Sequence, residues 1–520
     1  MSRIDTVNAV PSHGLNVIQA SDVAPGKHQL RADVVVIGSG AGGAVAAYEL
    51  ARKGLDVLIL EAGPYVPSSA FSEDFNDSLE RLYEDAGGQT NKEGDLLLLQ
   101  GRCVGGSTVV NGCVSFRTPD FILEEWGRDF GLTNLNPEAM APWFDRVEEK
   151  LHIRENGEHE IANHSRLVRE GARKLGWSVK PFKRNIRECA LTGHCLSGCK
   201  TDRKQSMLVT YLPWAMAHGA RLHADTRVTR ILENGGRAVG VEAEVIGADG
   251  VKVADFHVDA NTVVLAAGAV QSPLLLLKSG LANRSGQVGR NFACHPSMFV
   301  SAKYPQEVYP WRGALLGVYV DEFLRPEKGG FILEAGGLGA VEMTMLSEPG
   351  TGKPFLKFME EARFKSGIVT LIHDHNVGQI RWEKGRKVVD YQVSDKDFPS
   401  MLAALKASAR IHLAAGATEV YVPSVEKLVI RHEDEIDSVL ARLENKPQRL
   451  RLVSYHPQGT LRMGADPLKS VVAPHGETHD VKGLYVTDAS LLPTSIIVNP
   501  QVTVYALASY ISHQILSRLG

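Results

Sequence analysis

No stretch of this sequence approaches the roughly 20 consecutive apolar residues that a membrane-spanning helix needs, so no such span is expected. Lysine and arginine never gather into a stripe, and the formal net charge is only −3. A chain so balanced offers no surface that could neutralise a phosphate backbone, and nucleic acid is not expected as a partner. The first thirty residues lack a charged start, an apolar middle and a twin arginine, so 1–30 read as a polar leader and not as an export signal. Internal repeats and long low-complexity linkers are missing too, which argues for domains packed together rather than strung apart. A cytoplasmic protein is expected, with its six cysteines free or metal-bound rather than paired.

What is present is an ordinary globular composition: 520 residues, 44% hydrophobic and 22% charged, with 50 glycines. That is enough for two or more domains with a large core. The strongest local signal is "ADVVVIGSGAGGAVAAYELARKGLDVLILEAG". A β-branched run, Val34 to Ile37, leads into Gly38, Gly40 and Gly43 at G-x-G-x-x-G spacing. A helical pattern then runs to Lys53, and a second strand, Val57 to Leu60, ends at Glu61. Gly38 permits a tight turn, Gly40 lets a pyrophosphate approach the backbone, and Gly43 lets helix and sheet pack closely. The helix N-terminus presents amide N–H groups to the phosphates, and Glu61 stands where a carboxylate accepts ribose hydroxyls.

NAD and FAD domains share this unit, so later segments must separate them. "NTVVLAAGAVQSP" is a buried-type strand that enters a small-residue turn, Ala266 to Ala269, where a ligand can reach the backbone. "GLYVTDASLLP" is a strand running to Asp488, and the helical pattern from Val502 to Leu516 points its start at the same place. A single nicotinamide domain of ~150 residues has no need of cofactor segments near residues 38, 100, 268 and 488. A long cofactor threaded by several distant parts of the chain does.

These pieces, with "GRCVGGSTVVNG", "GAVQSPLLLLKSG", "GRNFACHP", "HPQGTLRMG" and "VTDASLLPTSIIVNPQVTVYA", come in the order found in the glucose–methanol–choline (GMC) oxidoreductases, which the chain resembles over nearly its whole length. The resemblance implies an α/β fold: a Rossmann-type FAD-binding domain from 31–130, 205–296 and 451–520, and a substrate-binding domain on an antiparallel sheet from 131–204 and 297–450. In the latter, "QIRWEKGRKVVDYQV" alternates around a charged turn as a hairpin does, which fits the family's sheet over the flavin. The resemblance further implies cofactor contacts from Ala41, Gly105, Gly106, Asn111, Val228, Ala267, Gly268, Asp488, Ala489, Pro500 and Gln501. Some relatives attach flavin through a histidine before the loop asparagine; Val110 stands there, so FAD is expected to bind non-covalently.

The implied activity is oxidation of an alcohol to an aldehyde or ketone. His456 matches the family's catalytic histidine and Asn499 its partner. An imidazole can take the hydroxyl proton as hydride leaves carbon, whereas an amide can only hold the oxygen. The base role therefore falls to His456. Similarity to the long-chain alcohol branch points to a hydrophobic or aromatic alcohol. Loops around 80–95, 185–200 and 305–365 are expected to shape the pocket. The other readings are a sugar or polyol dehydrogenase, a flavoprotein that only transfers electrons, and a lyase.

"CALTGHCLSGC" puts Cys189, Cys195 and Cys199 at C-x5-C-x3-C spacing. Some bacterial sugar dehydrogenases of the family use three such cysteines for an iron–sulfur cluster that passes electrons to a haem subunit. Three thiolates on a glycine-containing loop can converge on one cluster; a reduced, metal-free loop is the alternative. The first reading calls for a dye or haem protein as electron acceptor, the second for an acceptor, such as oxygen, that meets the flavin directly.

Overall fold

The computed structural model describes residues 14–346, 350–375 and 378–519. Its first sheet has seven strands, in the order Arg221–His223, Val57–Leu60, Gly26–Ile37, Lys252–Leu265, Arg237–Ile246, Thr226–Asn234, with Leu484–Val486 paired to the end of Lys252–Leu265. The strands from Arg221–His223 to Lys252–Leu265, and Leu484–Val486, run parallel, and the last two run antiparallel. Val34–Val36 and Val57–Ile59 have no exposed surface. Parallel strands covered on both faces demand such continuous apolar runs. Helix Ala41–Ala51 packs on this sheet and on helix Gln501–Leu519, where buried Ala44, Ala46 and Ala47 permit close approach. The expected strand–turn–helix–strand unit is therefore formed, its second strand spanning Val57–Leu60.

The stretch set apart by composition as a leader enters this sheet. Val17 and Ala20 are buried, Ile18 bridges to His223, and the first long strand already starts at Gly26. A few apolar side chains find the edge beside Arg221–His223, which composition averaged over thirty residues does not reveal. Residues 1–13 of that leader lie outside the described residues.

The second sheet is antiparallel throughout, in the order Leu428–Ile430, Glu419–Val422, Phe299–Lys303, Lys365–Ile372, Phe331–Gly336, Leu316–Val320, Val179–Pro181. Helices Phe398–Ala414 and Asn163–Lys174 pack against it. The expected hairpin forms from Gln379–Glu383 and Arg386–Asp390, but it is a two-stranded sheet of its own and does not join the larger one. Its charged flank is occupied elsewhere: Lys387 pairs with Asp85 at 2.7 Å and Glu84 at 3.2 Å, which ties the hairpin to the 80–95 loop. Among the described residues, no helix is long and apolar enough to cross a membrane.

Candidate active site

A cavity of about 800 Å³ runs from the turn after the first strand to the face of the antiparallel sheet. At one end, Gly38, Gly40, Ala41 and Gly42 line it, with Gly40 capping helix Ala41–Ala51. A Cβ on Gly43 would lie 2.0 Å from the carbonyl oxygen of Gly38, so only glycine lets helix and turn meet. Gly43 packs and does not line the cavity. Opposite, Gly106 faces Gly40 so closely that a Cβ on it would come within 2.8 Å of Gly40 Cα. The two bare backbones touch and together form a stretch of cavity wall without side chains, where a pyrophosphate can reach helix amides.

Buried Glu61 accepts from Ser39 N at 2.9 Å, Ser39 Oγ at 2.7 Å and Gly63 N at 2.8 Å, and lines the cavity. Burial raises its pKa, and the Ser39 and Gly63 hydrogen bonds oppose the rise. Val228, Ala267, Gly268, Ala489 and Pro500 also line the cavity. Gly105 does not: its amide donates to Ser39 Oγ at 3.0 Å and its Cα packs toward Val109 and Leu208, so it supports the loop from behind. Asp488 reaches the cavity wall with both oxygens engaged, Oδ2 by Gly268 N and Ser272 Oγ, Oδ1 by Ser490 N and Oγ. It ties two turns together. Gln501 accepts from Asn111 Nδ2 at 2.8 Å and from Tyr505 and donates to the Val114 carbonyl, so it orients Asn111. These residues fit FAD: a glycine cradle at a helix start, a buried carboxylate at the next strand's end, and walls of small residues.

At the other end the structure brings His456 and Asn499 together, with Asn499 Nδ2 3.4 Å from His456 Nε2. The pKa of His456 is lowered to about 3 by burial, so the ring is neutral at physiological pH. Its Nδ1 lies 3.3 Å from Nδ1 of fully buried His295, whose Nε2 lies 3.1 Å from Gln458 Nε2. Asp374 fixes His295 by accepting its backbone N–H at 3.0 Å and that of Cys294 at 2.9 Å. Three non-glycine residues hold left-handed backbone around this end: Cys113 (φ 66°), His295 (φ 48°) and Ile497 (φ 67°). Such strain collects where surrounding packing over-determines a site, and a β-branched Ile497 two residues before Asn499 is the costliest of them. His295, Gln458 and Glu334 were missed in the sequence; "GRNFACHP" contains His295 but carries no sign of which ring it touches.

The three loop cysteines are not brought together as the cluster reading required. Cys189 Sγ contacts Arg184 at 3.8 Å, and Cys199 Sγ accepts from Lys204 N at 3.4 Å with Thr201 Oγ1 at 3.5 Å. Cys195 turns inward and hydrogen-bonds the thiol of Cys113, which lowers its pKa. The Lys204 ammonium fastens the loop by donating to the carbonyls of Val109, Asn111 and Cys195. Among the described residues, no three His, Cys, Asp or Glu side chains form a set that could hold a metal ion. Cys195→Ser is therefore expected to leave turnover unchanged, and protein purified without oxygen to carry FAD but no stoichiometric iron. Iron near three per chain, with dye reduction lost in the variant, would restore the cluster.

Comparison with known proteins agrees with this geometry. The FAD binding domain model matches residues 33–74, and the two GMC oxidoreductase models match 79–297 and 366–508. A GMC-type oxidoreductase of Mycobacterium tuberculosis is 34% identical over 98% of this chain and 79% of its own. A long-chain-alcohol oxidase of Arabidopsis thaliana is 30% identical over 100% of this chain and 71% of its own. In fold, the chain is similar to pyridoxine 4-oxidase from Mesorbium loti, with a TM-score of 0.70, 21% identity, and 93% and 99% of the two chains covered. With family models on both sides of the cavity and a relative matched almost end to end, the chain belongs to the GMC oxidoreductases.

Proposed function

We propose that this FAD-dependent oxidoreductase converts an alcohol to the carbonyl, with His456 taking the hydroxyl proton and Asn499 holding the oxygen. The observation that carries the reading is the partly buried His456–Asn499 pair at the end of a cavity whose other end is a dinucleotide cradle. FAD, when bound there, supplies the hydride acceptor. In this reading 31–130, 205–296 and 451–520 form its domain, and 131–204 with 297–450 the substrate domain.

Proton removal requires a lone pair on His456 Nε2. The hydrogen must then sit on Nδ1 and be donated to His295 Nδ1, which leaves the hydrogen of His295 on Nε2, toward Gln458. Buried Gln458 Oε1 has no partner, and turning that amide by half a rotation, at the cost of the Gln458 Nε2 hydrogen bond to the His456 carbonyl at 3.2 Å, supplies the acceptor this chain of tautomers needs. His295 and Gln458 thus aim the base. Asn499 Oδ1, buried and without a partner, can take the alcohol O–H before transfer, and the amide N–H can hold the oxygen as it loses its proton. Leu315, Leu316, Leu338, Val369 and Tyr455 line the reaction end, which supports an alcohol with a hydrophobic or aromatic body.

Anaerobic addition of such alcohols is expected to bleach the flavin band, and air to restore it with one hydrogen peroxide per carbonyl formed. An unbleached flavin across primary and secondary alcohols would overturn the reading. Val110 offers no nucleophile to the cofactor, so acid precipitation is expected to leave all the FAD in the supernatant. Yellow colour in the pellet would contradict this.

A further inference from the structure

The strand Phe331–Gly336 holds one charged residue, Glu334, paired across to Tyr319 on one side and Val369 on the other. Strand alternation sends Phe331, Leu333 and Ala335 into an apolar core and turns Glu334 and Gly336 to the cavity. Leu316, Leu338, Val369 and Leu371 give the cavity an apolar wall on this side. Glu334 is 3% exposed. Its side chain hydrogen-bonds Asn499, while Oε1 is buried and has no partner at all.

A buried acceptor without a partner is costly, and a fold seldom leaves one facing a cavity unless something that enters satisfies it. The mechanism above makes no use of this group, because His456 takes the proton and Asn499 holds the reacting oxygen. We propose that Glu334 selects the substrate by binding a second hydrogen-bond donor, a hydroxyl or an ammonium, carried by the alcohol near its reacting carbon. The inference rests on reading the His456–Asn499 end as the reaction centre and deepens it: the substrate has an apolar body but is not a plain hydrocarbon alcohol. Burial raises the Glu334 pKa to about 8, so the acid enters uncharged. It can exchange hydrogen bonds with a hydroxyl, or give its proton up and pair with an amine that arrives as its free base.

The test uses the full-length holoenzyme, wild type and Glu334→Leu and Glu334→Gln variants, with FAD content checked first. Normal butanol, its terminal diol and its terminal amino alcohol are compared, with the same trio at neighbouring chain lengths, by anaerobic flavin reduction. At the best chain length a donor-bearing alcohol is expected to exceed the plain alcohol about 10²-fold in kcat/KM, because a site built around a polar contact discriminates against its absence. Glu334→Leu should erase that ratio. Glu334→Gln should preserve it for a diol and lose it for an amino alcohol, which tells the two donors apart. A parallel titration uses tert-butanol, its amino derivative and a diol whose two carbinol carbons are both tertiary, none of which has a carbinol hydrogen to give up as hydride, and reads binding from the flavin absorbance. No wild-type preference at any length, or one that persists in Glu334→Leu, overturns the inference. Those binding ratios do not depend on proton transfer, so an unimpaired His456→Ala enzyme would overturn the base assignment without touching them.

Discussion

His456→Ala is expected to lower the rate of flavin reduction by about 10²- to 10⁴-fold, the usual contribution of a positioned general base, while the FAD spectrum stays intact. The size follows from the surroundings. Burial keeps the ring neutral before reaction, and the nearest other titratable rings and carboxyls are already engaged: His295 on Gln458 and His456, Asp374 on backbone amides. Nothing within the site can step in as the base except Glu334, whose own assigned contact is to Asn499. Asn499→Ala should slow reduction less, through lost positioning. A His456→Ala enzyme that reduces its flavin at the wild-type rate would end the assignment.

Asp488→Ala is expected to weaken FAD binding by at least about 10²-fold, more than any other single change at the cradle. Removing this carboxylate strips partners from two backbone amides and two serine hydroxyls at once, and each buried group left unmet costs about 1–3 kcal/mol. The loss falls on Gly268 and Ser490, turns from two distant parts of the chain that flank the cavity. Glu61→Ala should show a smaller loss, because it strips three donors, Ser39 N, Ser39 Oγ and Gly63 N, rather than four. Spectrophotometric FAD occupancy after gel filtration checks both. Equal occupancy in Asp488→Ala and wild type would mean that the two turns hold their places without it.

The glycine turn, the flanking strands and the terminal Glu61 were legible because each depends on local rules: β-branched runs for covered strands, glycine where backbones must touch, a carboxylate at the next strand's end. His456 and Asn499 were legible by resemblance, through motifs that keep their order along the chain. Glu334 left only a faint signal, a lone acid in "FILEAG", since alternation says which face it takes but not that the face is a cavity wall. The cysteines mark the boundary most clearly. Spacing along the chain puts Cys189, Cys195 and Cys199 close in sequence, but Arg184, Thr201 and Lys204 draw two of them aside and Cys195 meets Cys113 from a different segment. By itself the sequence determined the dinucleotide unit, the family and the identity of the candidate base, because those are written in contiguous patterns. Tertiary structure alone decided which groups face one another, the His456–His295 contact, the Asn499–Glu334 contact and the dispersal of the thiols, because each joins segments whose separation along the chain no local spacing records.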